Sequence, residues 1–204
     1  MTHPLSKPLE LPCGAVLSNR LAKAAMSEGL ADANNHSTPR LERLYQRWAG
    51  SGAGLLLSGN MQVDCLHLER PSNVVIDGRG KTELAKLAKA GKSQGVQFWA
   101  QISHTGRQVD SHINGAPLSP SAVEIDVIRG AGFSFAIPKP MTEEEIWHAV
   151  DQFAFGAKQV QEAGFDGVSL HAAHGYLISQ FCFIHRNLCH FPTLLTAHWW
   201  TQYV

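Results

Sequence analysis

The chain has 204 residues, 44% of them hydrophobic, with 18 Gly and 10 Pro, which is enough for one α/β domain with a sizeable core. Seventeen basic residues balance 17 acidic ones, so no net field favours nucleic acid or an anionic membrane. No apolar run approaches a membrane span, residues 1–11 lack a signal-peptide layout, and Cys13, Cys65, Cys182 and Cys189 form no CxxC pair. Together these predict a cytoplasmic protein whose partners are small molecules.

In chain order, residues 8–19 carry Pro12-Cys13-Gly14 between short apolar pieces and predict a β-hairpin. Leu21–Met26 is a short strand candidate. Thr38 as cap and Pro39 at the first helical position open a helix whose face is Leu41, Leu44, Tyr45 and Trp48. Gly54–Ser58 is a continuous apolar run, as a parallel strand covered on both faces requires. A second helix is predicted over about residues 81–94, with Leu84, Leu87, Ala88 and Gly91 inward. Val96–Ile102 is the next strand. Residues 103–140 form a long connection with four prolines, too long for a structureless loop unless it is functional or folds as an excursion. Thr142 and Glu145 then make a capping box ahead of a helix with Ile146, Val150, Phe153, Ala157 and Val160 at helical spacing. Gly167–His171 is the last legible strand. Alternation of apolar strands with helices argues a parallel sheet.

Polar residues gather just after these strands: Ser27, Asn60, Gln101, His104, Arg107, His171, His174 and Tyr176. Carboxyl ends of strands are where such sheets bind ligands. No GxGxxG joins the first strand to the first helix, so a Rossmann dinucleotide site is not indicated. His171 and His174, three apart at a strand end, admit three readings: hydrogen-bonded core histidines, a pair of N–H donors polarising a carbonyl or holding a phenolate, or a metal pair. The motif contains no Asp or Glu that would complete a metal site. Tyr176 is placed to deliver a proton to carbon. Gln101, at the end of an apolar strand, needs partners for both faces of its amide; a flavin pyrimidine or neighbouring backbone supplies them. Arg107 reads either as a neutraliser of an anion or as a solvated surface arginine.

Three stretches carry a family resemblance: Asn19-Arg20-Leu21-Ala22-Lys23-Ala24-Ala25-Met26, Gln101-Ile102-Ser103-His104-Thr105-Gly106-Arg107-Gln108, and Ala163-Gly164-Phe165-Asp166-Gly167-Val168 through Gln180-Phe181. Over about residues 5–181 the chain resembles the old yellow enzyme family of FMN-dependent ene-reductases and NADH:flavin oxidoreductases. The resemblance implies a (β/α)8 TIM-barrel lineage, with about four β/α units, an N-terminal hairpin and an excursion over the barrel mouth present here. It implies FMN across the strand ends, facing Ala25, Met26 and Ser27, near Gly59, with Gln101 on its pyrimidine. It implies NADPH or NADH as reductant, an enone-type substrate held through its carbonyl by His171 and His174, and Tyr176 as proton donor. Where many relatives carry Pro-Met-Thr or Pro-Met-Cys, this chain has Ala25-Met26-Ser27.

After Phe181 the composition shifts. Residues 182–204 hold two of the four cysteines, three of the eleven histidines and two of the five tryptophans, with no Gly, Asp or Glu. The expected division is residues 1–181 as the N-terminal half of an FMN-binding barrel and residues 182–204 as an atypical tail, either a frameshifted or spliced end or a genuine short terminus. A closed barrel needs about 250 residues. The expectation is therefore a half-barrel of impaired activity, unless self-association or a full-length subunit completes it. Two further readings stand beside this one: a non-catalytic half-barrel that binds or regulates another subunit, and a metal-dependent barrel hydrolase.

Overall fold

The computed structural model describes residues 3–125 and 134–182. Residues 183–204, nearly all of the atypical tail, lie outside the described residues, as does part of the excursion.

The hairpin is β1 (Leu9–Glu10) paired antiparallel with β2 (Val16–Leu17). The main sheet consists of β3 (Ala22–Lys23), β4 (Leu55–Gln62), β5 (Gln97–Ser103) and, numbered by chain position, β8 (Gly167–Leu170). All three pairings in the order β3-β4-β5-β8 are parallel. Between these strands run α1 (Pro39–Ala49), α2 (Lys81–Gly91) and α3 (Glu143–Ala163), with α2 packed against both α1 and α3. The excursion contributes β6 (Leu118–Ser119) and β7 (Lys139–Pro140), which pair with each other, and a bridge between Asp110 and Phe135. It is folded on itself rather than structureless. A short α4 (Leu177–Cys182) follows β8. Among the described residues no helix is long and apolar enough to cross a membrane.

The start of α1 follows from its sequence: the Thr38 hydroxyl accepts from the Leu41 N–H, with Pro39 at the first position. Thr142 and Glu145 exchange both bonds of a capping box at α3. One core sits between the sheet and its helices, built on Leu41, Tyr45, Leu56, Leu87, Phe98 and Ile102. Tyr45, Phe98 and Phe165 stack through it with centroid separations of 4.7 and 4.8 Å. Helix α2 ends at Gly91, short of the predicted 94, because Gly95 turns the chain with φ +73°. Gly91 itself is where the Phe98 ring lies so close that a Cβ would collide with it. The sequence pattern therefore found the packing face of α2 and overran its end.

Strand β4 runs four residues beyond the apolar Gly54–Ser58 run, through Gly59-Asn60-Met61-Gln62. Polar letters ended the apolar pattern there, yet Asn60, Met61 and Gln62 are buried against β5. The register shifts between Leu57 and Asn60, and that irregularity sets Asn60 directly beside Gln101. Asn19 pins the other end of the sheet: its Oδ1 accepts from the Leu21 and Gly54 N–H groups, both at 3.0 Å.

Candidate active site at the strand ends

The parallel strands deliver polar side chains to one end of the sheet. From β3, the chain leaves through Ala25, Met26 and Ser27; Met26 is 57% exposed. From β4 and β5, Asn60 and Gln101 meet, with Gln101 Nε2 donating to Asn60 Oδ1 at 2.7 Å. Asn60 Nδ2 donates onward to Glu69 Oε2 at 3.0 Å, and the Ser27 hydroxyl donates to the same oxygen. A line of alternating donors and acceptors thus crosses three strands: Ser27, Glu69, Asn60, Gln101. Gly59 faces the other way. Its N–H donates to Tyr45 Oη at 2.8 Å and to Glu28 Oε1 at 3.1 Å, and a Cβ there would strike Glu28 and the Met26 carbonyl. Gly59 is needed so that β4 can close over the buried Tyr45–Glu28 pair.

The loop after β8 holds His171, His174 and Tyr176 together. His171 Nδ1 accepts from the Ala173 N–H at 3.3 Å, which leaves the proton on Nε2. That Nε2–H faces His174 Nδ1 at 3.3 Å. The chain of donors therefore emerges at His174 Nε2–H, with His171 behind it as a buttress. The rings meet edge to face with centroids 5.1 Å apart, and Tyr176 meets His171 likewise at 4.7 Å. His174 has φ +57°, a left-handed conformation that a non-glycine residue holds at a cost of order 1–3 kcal/mol. Such strain clusters where geometry serves a ligand. Burial, then the neighbouring His174, lowers the His171 pKa against an opposing pull from Glu69, so His171 is neutral at pH 7. Burial, then the nearby Glu69 carboxylate, raises the Tyr176 phenol well above its usual range. An open cleft of about 460 Å³ lies beside Tyr176, walled by Glu69, Arg70, Gln108, Asp110 and His112 among others.

The His104-Thr105-Gly106-Arg107 stretch serves structure, not the cleft. Arg107 is 5% exposed, and its guanidinium donates to the Val123 carbonyl in the excursion, so it is not a solvated surface arginine. Gln180 is the hub of this region. Its Nε2 donates to the Gly175 and Thr105 carbonyls, and its Oε1 accepts from Arg107 N–H and the Ser119 hydroxyl. Gly106, with φ +59°, leaves the room that the Gln180 amide fills.

A second cluster was not visible in the sequence. Asp64, His67 and His104 place their polar atoms within 4.8 Å of one another. Each histidine has one nitrogen occupied by a backbone donor: Leu118 N–H on His67 Nε2 and Gly106 N–H on His104 Nδ1, both at 3.0 Å. The remaining His67 proton, on Nδ1, bonds Asp64 at 2.8 Å, while the His104 Nε2 proton lies 3.7 Å from the same carboxylate, within reach of its charge but not hydrogen-bonded. A metal would need lone pairs where these protons sit, so the cluster is a hydrogen-bonded clasp between the loops after β4 and β5 and the excursion. The i,i+3 spacing of Asp64 and His67 was the one available signal. Burial, followed by repulsion from His67, drives the His104 pKa well below its ordinary 6.5, outweighing attraction to Asp64. The unfolded chain thus binds more protons than the folded one as pH falls below about 6.5. Stability is full above that value and declines on acidification. We expect the melting temperature to fall steadily from pH 7 to pH 5, and H104Q to melt lower at pH 7 with a shallower acid slope.

Four parallel strands, the helices between them and polar side chains gathered at the strand ends are the architecture of half of a (β/α)8 barrel. Comparison with known proteins gives the family. Residues 4–187 match the NADH:flavin oxidoreductase / NADH oxidase family, and the chain belongs to it. It is 37% identical over 199 residues to an NADH-dependent flavin oxidoreductase of Aspergillus parasiticus, a match covering 91% of this chain and 45% of that protein. It is 33% identical over 192 residues to an NADH-dependent flavin oxidoreductase of Hypocrea jecorina, covering 86% and 48%. The fold superposes on an old yellow enzyme homologue of Zymomonas mobilis with a TM-score of 0.82 at 27% identity, covering 92% of this chain and 54% of that one. The chain spans about half the length of the curated relatives it matches.

Proposed function

We propose that this chain carries the flavin-facing and substrate-binding half of an FMN-dependent oxidoreductase that reduces the C=C bond of α,β-unsaturated carbonyl compounds, drawing on NADH or NADPH. The observation that carries this reading is the tautomer-fixed His171–His174 pair with Tyr176 packed on it. An N–H donor at His174 is suited to polarising a carbonyl oxygen, and a phenol kept protonated beside it is suited to protonating the adjacent carbon.

The residues present fit FMN. The pyrimidine edge of a flavin alternates N–H and C=O, and beyond the bonds that fix them to one another and to Glu69, the Asn60 and Gln101 amides each keep a second N–H, with the Gln101 Oε1 as acceptor, at the strand ends. Ala25 and Met26 supply backbone and an exposed apolar side chain for the ring system, while the Gly59 N–H is already committed to Tyr45 and Glu28. Bound there, FMN supplies the hydride. The chain's own part is to hold the carbonyl at His174, with His171 keeping that ring in the correct tautomer, and to deliver the Tyr176 proton to the α-carbon. Among the described residues β3 and β8 are the sheet's outer strands, and Leu170 at the end of β8 is 53% exposed. We place the docking of further barrel strands on those edges, whether from the same polypeptide, a second copy or a longer subunit. The alternatives are a non-catalytic half-barrel regulating another subunit and a metal-dependent hydrolase; the second finds no support in the His171–His174 pair, whose facing nitrogens are engaged with each other. Incubating the FMN-supplemented protein with NADH and 2-cyclohexenone tests the reading. Accumulation of cyclohexanone supports it, and NADH oxidation without the saturated ketone speaks against it.

A further inference from the structure

The loop after β8 turns through two consecutive left-handed residues, His174 at φ +57° and Gly175 at φ +76°. The peptide that joins them is held at both ends. Gln108 Nε2 donates to the His174 carbonyl at 2.7 Å, and the Gly175 N–H donates to the Ser179 hydroxyl at 3.3 Å. The next carbonyl, that of Gly175, accepts from Gln180 Nε2 at 2.6 Å. Ser179 and Gln180 belong to α4, the helix into which the loop runs, so their bonds are local. Gln108 comes from 66 residues away, in the loop after β5. Its own place is fixed. Its backbone N–H donates to the Thr105 carbonyl at 3.2 Å, and the His104 carbonyl in the same loop accepts from the Leu177 N–H at 3.0 Å. Gly175 keeps the approach open, because a Cβ there would lie 2.4 Å from Gln108 Nε2.

We infer that Gln108 is a positioning residue for the His174 ring, fixing the left-handed turn from which that ring meets His171. The inference rests on the carbonyl-binding role proposed above for His174. A histidine in this conformation is strained and keeps it only while surrounding contacts over-determine the backbone. His174 is exposed, and its ring faces His171 Nε2 at 3.3 Å. If the peptide after it turns freely, that contact is lost and nothing selects the tautomer with its proton on Nε2. A donor must be aimed as well as present, and a small misplacement of the aiming group is felt at the reacting atom. Gln108 also lines the open cleft beside Tyr176. One side chain therefore borders the ligand space and holds the backbone under the donor.

The test needs no flavin. ¹⁵N-histidine labelling reports the tautomer of each imidazole through its two ring nitrogens. The protein contains 11 histidines, and H174A assigns the His174 pair by its disappearance. At pH 8 the wild type is expected to show two well-separated His174 resonances, a protonated Nε2 and a bare Nδ1. Q108M has the length of glutamine and no donor, and in it the two are expected to converge as the ring leaves His171 and samples both tautomers. Q108K returns a donor to the carbonyl and is expected to restore the separation. The His67 and His104 rings, unmoved, report that the neighbouring loops keep their fold. Converged resonances in the wild type, undiminished separation in Q108M, or convergence in Q108K as well overturns the inference. So does movement of the His67 and His104 rings in Q108M, which makes the effect a loosening of both loops. If His174 responds as expected but the protein saturates no enone, the positioning stands and the proposed reaction falls.

Discussion

Replacing Tyr176 with phenylalanine is expected to slow formation of the saturated ketone by roughly 10²–10⁴-fold, the range a positioned general acid contributes. The ring sits edge-on to His171 at 4.7 Å, so phenylalanine keeps the packing and removes only the hydroxyl. Burial and then the Glu69 charge raise the pKa of that hydroxyl well above its usual range, so the wild-type rate should show no loss from tyrosine ionisation up to pH 9. NADH oxidation with ferricyanide as acceptor needs no proton on carbon and should proceed in Y176F at the wild-type rate. Comparing the two acceptors in the one variant isolates the proton step. Equal losses with both would place Tyr176 in binding instead.

The second large effect is on stability. Asp64→Ala removes the carboxylate that accepts from the buried His67 Nδ1–H at 2.8 Å and lies 3.7 Å from His104 Nε2; the two histidine side chains are 3% and 1% exposed. The stranded His67 donor costs about 1–3 kcal/mol, so a loss of about that size is expected. Neither ring can escape by exchanging tautomers, because the Leu118 and Gly106 N–H groups hold the opposite nitrogens. D64N restores one acceptor oxygen and should recover about half of the loss, while its amide N–H group faces the second ring donor to donor. Urea unfolding reads this as a lower midpoint with an unchanged slope. A midpoint within error of wild type for D64A would mean that the clasp is solvated and contributes nothing.

What the sequence disclosed and what it hid follow from the range of the interactions involved. Thr38-Pro39 and Thr142 with Glu145 are local signals, complete within four residues, and both helix starts fall where those residues put them. The inward face of α2 was legible for the same reason, since Leu84, Leu87, Ala88 and Gly91 recur at helical spacing. The polar half of β4 was not. Asn60 and Gln62 are buried only because β5 lies alongside, and no local pattern carries that information. His171, His174 and Tyr176 could be picked out because they are close in sequence at a strand end. Their hydrogen-bond order could not, because it depends on the Ala173 N–H. Glu69 and Asp64 sit in a loop with no periodicity, and their partners come from Ser27 and Asn60 in one case and His104 in the other. Arg107 reads as polar in sequence, and that its guanidinium bonds the Val123 carbonyl follows from the folding of the excursion, which no local pattern discloses.

The central claim is that Ser27, Asn60 and Gln101 form one edge of a flavin site. Titrating the protein into FMN and following quenching of the flavin fluorescence tests it most directly. The account predicts saturable quenching that weakens about tenfold or more in Q101A, the loss of one or two hydrogen bonds worth about 0.5–1.5 kcal/mol each, more where a buried acceptor is left unpaired. Quenching of the same strength in Q101A, or none in the wild type, would contradict it.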